Sequence, residues 1–91
     1  MRYVYADNAA TTPVSEKVVE AMLPYMTEHF GNPSSLYSIG QTAFGAVQKA
    51  REQVAAVLGA DAKEIFFTSC GSESANMAIK GVVNCNKEKR H

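Results

Sequence analysis

Apolar residues recur along this chain first at helical spacing, then in a short continuous run, then at helical spacing again. Val19, Leu23, Met26 and Phe30 fall at i, i+4, i+7 and i+11, one face of a helix that starts near Ser15, a suitable N-cap residue. Pro24 lies inside that stretch and removes the N–H that would bond back to Glu20, which predicts a kink or two short helices meeting at Leu23 and Pro24. Gly31 stands where a left-handed C-cap belongs, and Asn32-Pro33-Ser34-Ser35 reads as a turn cluster. Tyr37-Ser38-Ile39-Gly40 then leads into the longest periodic segment, where Ala43, Val47, Ala50, Val54, Val57 and Leu58 form one stripe. Gln48, Lys49, Arg51, Glu52 and Gln53 lie mostly off that stripe as a solvated face, and Gly59 closes the helix.

Ile65-Phe66-Phe67 breaks the helical period with β-branched and aromatic residues and predicts a buried core strand, while Arg2-Tyr3-Val4-Tyr5 predicts a short edge strand. Thr68-Ser69-Cys70-Gly71 follows as a small-residue turn, Ser72 is placed as an N-cap, and Ala75, Ala78, Ile79 and Val82 form the apolar face of a helix running to about Val83. A helix that begins just beyond a strand aims unpaired N–H groups at the space past the strand end, and its dipole favours an anion there. Gly71 and Ser72 are therefore candidates for holding a phosphate. The same pattern also describes an ordinary strand-to-helix connection, and Glu73 competes for the same dipole. A strand with a crossover helix calls for a parallel neighbour strand, which these residues do not supply. The chain reads as one partial domain, the front part of a larger α/β protein.

Composition narrows the classes. At 91 residues there is room for at most one small domain with a modest core. Nine Lys plus Arg balance nine Asp plus Glu, so no net field recruits nucleic acid or an anionic membrane surface. No apolar run approaches the roughly 18 residues of a membrane span, and the start lacks the basic-then-apolar shape of a signal peptide, so a cytoplasmic location is expected. Cys70 and Cys85 show no CxxC spacing and no histidine placed to complete a zinc site, which makes them free thiols in a reducing compartment and leaves no metal ligand to assign. Lys80 and Cys85 fall on the helix well past the turn, and His29 near a helix end, so all three are read as structural or surface residues, as is the polar tail from Asn84 to His91.

Three stretches then take on a joint meaning: Tyr5-Ala6-Asp7-Asn8-Ala9-Ala10-Thr11-Thr12-Pro13, Phe30-Gly31-Asn32-Pro33-Ser34-Ser35, and the run from Phe67 through Thr68-Ser69-Cys70-Gly71-Ser72-Glu73-Ser74-Ala75-Asn76 to Gly81. In this order and spacing they closely resemble the amino-terminal quarter of the NifS and IscS class of cysteine desulfurases, members of the class V aminotransferase family, over essentially all 91 residues. The resemblance implies an α/β fold: the amino-terminal fragment of a fold-type-I pyridoxal-phosphate transferase, mostly helical with one core strand and a short edge strand. Residues 1–30 would form a small-domain-like segment and residues 31–91 the start of the large cofactor-binding domain.

The implied activity removes sulfur from L-cysteine, giving alanine and an enzyme persulfide for an iron–sulfur scaffold or another sulfur acceptor, in a homodimer. In that family the turn matching Gly71 and Ser72 holds the phosphate of pyridoxal phosphate. The sequence departs from the family pattern at Cys70, usually glycine or another small residue, at Ser72, usually threonine, and at Tyr37, often histidine. Serine keeps the hydroxyl donor, whereas Cys70 adds bulk and a thiol. The family's Schiff-base lysine, ring-stacking histidine, pyridine-nitrogen aspartate and persulfide cysteine all lie beyond the position of His91, so no catalytic residue is assigned and this chain alone is expected to be inactive. Two other readings stay open: a non-enzymatic partner-binding fragment or split-enzyme half, and another fold-type-I enzyme such as a selenocysteine lyase or an aminotransferase.

Overall fold

A computed structural model describes residues 1–89. The end of the basic tail, Arg90 and His91, lies outside the described residues. Among the described residues there are three α-helices, α1 (Glu16–Thr27), α2 (Ser38–Leu58) and α3 (Gly71–Cys85), with single 3-10 turns at Ala62–Glu64 and Lys87–Lys89. The chain divides into two compact units, Met1–Ala50 and Arg51–His91.

In the first unit Ser15 caps α1 as expected, its side chain accepting the Val18 N–H at 3.3 Å. Pro24 does not split the helix, which corrects the expectation of two short helices: α1 runs through it as one element. Glu20, left without its usual donor, is exposed, so water can satisfy its carbonyl, and the Pro24 carbonyl accepts from both Glu28 at 2.8 Å and His29 at 2.7 Å. Those two bonds end the helix at Glu28 without a left-handed residue, so Gly31 is not its C-cap.

Gly31 answers a different constraint. A Cβ there would overlap the Ile39 carbonyl, and a Cβ on the buried Gly40 would stand 2.7 Å from the carbonyl oxygens of Asn32 and Ser35. The 31–35 turn therefore lies directly on the first turn of α2. Asn32 shapes that turn, taking the Ser34 N–H on its side chain and the Ser35 N–H on its carbonyl, both at 2.9 Å, and Gln41 ties Ser35 down from the helix at 3.3 Å.

The second unit holds the end of α2, which closes as expected on Gly59 at φ 67°. The Gly59 N–H reaches the Ala56 carbonyl at 3.4 Å and the Ala60 N–H the Ala55 carbonyl at 2.9 Å, the paired bonds of a Schellman motif. A 3-10 turn follows, held by the Asp61 N–H on Glu64 Oε2 at 2.8 Å.

No strand is present among the described residues, which corrects both the core strand at Ile65–Phe67 and the edge strand at Arg2–Tyr5. The reason is pairing. Ile65 has an extended backbone, φ −96° and ψ 123°, but a strand exists only with a ladder partner, and none of the described residues supplies one.

The core is small. Ala43 and Ala55 of α2 are the buried apolar residues among those described; Ala43 belongs to the expected stripe and Ala55 does not, while Val57 and Leu58 at the end of that stripe are exposed. The α1 face of Val19, Leu23, Met26 and Phe30 is also exposed. No helix among the described residues is long and apolar enough to cross a membrane.

The glycines of α2 give opposite predictions. Gly45 has open space around its missing Cβ, so Gly45→Ala is expected to raise the urea midpoint, by about 0.5–1 kcal/mol of stability. Gly40→Ala is expected to lower it, because the added methyl must displace backbone. Urea titrations followed by circular dichroism check both signs.

Candidate functional site

The extended leg after the 3-10 turn delivers the chain to the start of α3, and hydroxyl groups hold that corner. Thr68 Oγ1 donates to the Cys70 carbonyl at 3.1 Å and shares a 2.6 Å hydrogen bond with Ser74 Oγ. The Ser69 N–H donates to Glu73 Oε2 at 3.0 Å, and the Ser69 hydroxyl donates to the same oxygen. Glu73 thus reaches back across the helix start, one residue further than in the usual capping box.

The N-cap is Cys70, not Ser72: α3 begins at Gly71, so Ser72 lies inside its first turn. Serine is not needed as a cap, since Thr68 and Glu73 already bind the corner together. As a result the Ser72 hydroxyl carries no hydrogen bond among the described residues. Gly71 and Ser72 are the first helical residues, so their N–H groups have no intrahelical acceptor, and a Cβ built on Gly71 would meet nothing within 4 Å.

Two backbone donors and one hydroxyl therefore stand together at an exposed helix start. This donor set fits the doubly anionic end of a phosphate ester. The carboxylate of Glu73, which competes for the same dipole, is occupied by both donors of Ser69. Those bonds, the side-chain one first, hold the Glu73 carboxyl below its ordinary value of 4.5.

Cys70 is exposed, and its thiol is also held below its ordinary value. The first cause is the backbone N–H of Glu73, the second is the Ser69 hydroxyl, whose oxygen lies 3.8 Å from Sγ, and the backbone N–H of Ser72 adds a smaller share. Cys85, likewise a free thiol, lies at the other end of α3, and Lys80 is exposed between them. Near the end of α1, His29 stacks obliquely on Tyr25, with ring centroids 5.8 Å apart. Among the described residues, no group of three His, Cys, Asp or Glu side chains is arranged to hold a metal ion.

Arg51 was not legible as part of this region. It is half-buried rather than on a solvated face, donates through Nη1 to the Ile65 carbonyl, and lies 5.1 Å from the centre of the Phe67 ring. Thr68 and Ser69 carried a readable signal, hydroxyl residues ahead of a helix start with a glutamate in its first turn.

With this geometry in place, comparison with known proteins defines the class. Residues 4–91 match the aminotransferase class-V family, and the chain belongs to it. Among individual relatives, it is 60% identical over 86 residues to a cysteine desulfurase IscS of Methanosarcina thermophila, covering 94% of this chain and 21% of that protein. It is 54% identical over 91 residues to a cysteine desulfurase of Trichormus azollae, covering 100% of this chain and 23% of the relative. A solved NifS-like protein superposes with a TM-score of 0.85 at 44% identity, over 93% of this chain and 23% of that one. The chain thus spans less than a quarter of the length of the relatives it matches.

The Cys70 and Glu73 environments predict two measurable effects. Cys70 should react with iodoacetamide faster than Cys85 near neutral pH, with a pH–rate midpoint below that of an ordinary thiol, and Ser69→Ala should slow it. Mass spectrometry of the labelled peptides measures both. Because the Glu73 carboxyl is lowered in the folded chain, its contribution to stability is full above the unfolded value and is lost as pH falls through the folded one. Acid titration by circular dichroism below about pH 4.5 should show a loss of helix that Glu73→Gln removes.

Proposed function

We propose that the polypeptide bearing this segment is a cysteine desulfurase, and that the start of α3 holds the phosphate of pyridoxal phosphate through Gly71 and Ser72. One observation carries the reading: the Gly71 N–H and the Ser72 hydroxyl, without a partner among the described residues, open a helix in a chain 60% identical to a protein named cysteine desulfurase IscS. The reaction would take L-cysteine to alanine and leave the sulfur as an enzyme persulfide, for transfer to an iron–sulfur scaffold or another acceptor. The cytoplasm and a homodimer are the setting proposed for it.

Within this scheme the residues of the segment bind and orient. The N–H groups of Gly71 and Ser72 and the Ser72 hydroxyl donate to phosphate oxygens, and the helix dipole adds to them. Thr68, Ser69 and Glu73 fix the corner on which those donors sit. When bound, pyridoxal phosphate supplies the electron sink on which carbon–sulfur chemistry depends. Lys80 is nine residues beyond Gly71 in α3, about 13 Å along the axis. It is not assigned as the cofactor lysine, and no residue here is assigned a catalytic role.

The test is a chimaeric holoenzyme in which these 91 residues replace the matching segment of the Methanosarcina thermophila relative. It should bind pyridoxal phosphate and release sulfide from L-cysteine, while the 91-residue chain alone should give no lysine-linked chromophore near 420 nm, an approximate wavelength for such a linkage. Gly71→Pro removes one N–H at the first helical position, where proline is well tolerated, and follows an extended Cys70 at φ −167°, ψ 170°. Helix content should hold while the cofactor dissociation constant rises about tenfold or more, as expected for losing one hydrogen bond to a charged group. Unchanged affinity in both Gly71→Pro and Ser72→Ala would overturn the assignment.

A further inference from the structure

The leg that leads into the proposed phosphate turn has no ladder partner among the described residues, yet its geometry is fixed from the side by one cation. Arg51, in the last third of α2, donates through Nη1 to the carbonyl of Ile65, fourteen residues further on. The same guanidinium lies over the ring of Phe67, its carbon 5.1 Å from the centroid. One planar group thus holds the leg at two positions, the backbone carbonyl of Ile65 and the ring of Phe67. Thr68 follows immediately and carries the grip into the turn through its bonds to Cys70 and Ser74.

We infer that Arg51 is a positioning residue for the anion turn: its guanidinium sets the leg at Ile65 and Phe67, and the leg sets where the Gly71 and Ser72 donors stand. The inference rests on the phosphate role proposed for that turn. Arg51 acts on those donors through the leg, by its contacts with the Ile65 carbonyl and the Phe67 ring. Two features of arginine suit the task, a planar fork that donates to a carbonyl and a flat face that stacks on an aromatic ring, and lysine supplies neither in combination. The corner has two other sources of order, the Thr68–Ser74 and Ser69–Glu73 bonds, but both belong to α3 and its approach. Arg51 alone among these contacts ties the corner back to α2.

The experiment uses the chimaeric holoenzyme and compares dissociation constants for pyridoxal phosphate and for pyridoxal, which lacks the phosphate. A positioning role predicts that Arg51→Lys and Arg51→Met weaken the phosphorylated ligand by about fivefold or more while pyridoxal affinity stays the same, so the ratio of the pyridoxal constant to the pyridoxal phosphate constant falls. A merely structural role predicts a lower thermal midpoint with the ratio unchanged, which overturns the inference. Phe67→Leu should lower the ratio in the Arg51 background and have little further effect in Arg51→Met, because both act through one grip; full additivity also counts against it. Gly71→Pro separates the two claims. If it lowers the ratio and the Arg51 variants do not, the positioning role fails; if it leaves the ratio unchanged, the phosphate turn itself fails.

Discussion

Every α-helix starts with N–H groups that have no carbonyl behind them, and here that deficit falls at Gly71, at the end of an unpaired extended leg. The neighbouring residues respond to it. Glu73 reaches back to Ser69, Thr68 crosses to Ser74, and Cys70 takes the capping position. The Gly71 N–H and the Ser72 hydroxyl are left without a partner among the described residues. A corner in which every N–H was internally satisfied would be a better connection and a poorer anion site.

The rest of the chain offers little independent stabilisation. Two alanines are its buried apolar residues among those described, and alanine removes little area from water. Met22, Tyr25 and Met26 on α1, and Met77, Ile79 and Val82 on α3, are all substantially exposed. Burial on this scale does not offset the conformational entropy of ordering three helices. Local devices define the conformation instead: the Ser15 cap, the Schellman closure at Gly59, the Asn32 turn and the direct contact of Gly31 and Gly40 with backbone. The exposed faces are then surfaces for further packing, in keeping with relatives in which the matched stretch is a minor part of a longer fold.

What could be read from the sequence follows the same division. Caps were legible because they depend on residues a few positions apart: the Ser15 cap and the Gly59 closure appear as expected, whereas of the expected α2 stripe Ala43 is buried and Val54, Val57 and Leu58 are exposed. The strands were not, because Ile65-Phe66-Phe67 has strand composition but composition supplies no partner. Gly31 was identified by position as a helix terminator, whereas its role is steric and depends on Ile39, eight residues away. Of the proposed anion site, Gly71 and Ser72 could be picked out from the small-residue turn. The shift of the cap to Cys70 could not, since it follows from how Thr68 and Glu73 share the corner. Arg51 was hidden for a related reason, because a charged residue off an apolar stripe looks solvated until its partner fourteen residues on is known.

Cys70 then deserves a different reading from the one its side chain first invites. Its backbone is extended, at φ −167° and ψ 170°, a conformation open to any residue, so the turn does not require glycine there. The larger side chain changes the electrostatics more than the conformation. The backbone N–H of Glu73 and the Ser69 hydroxyl favour its thiolate, which draws on the same helix dipole that favours a phosphate. Two negative charges at one helix start repel, and linkage makes the effect mutual. In the proposed complex a bound phosphate therefore raises the Cys70 pKa from its lowered position, and formation of the thiolate weakens the phosphate. Affinity at this turn falls as pH rises through the thiol's titration, a dependence that a glycine at position 70 would not show.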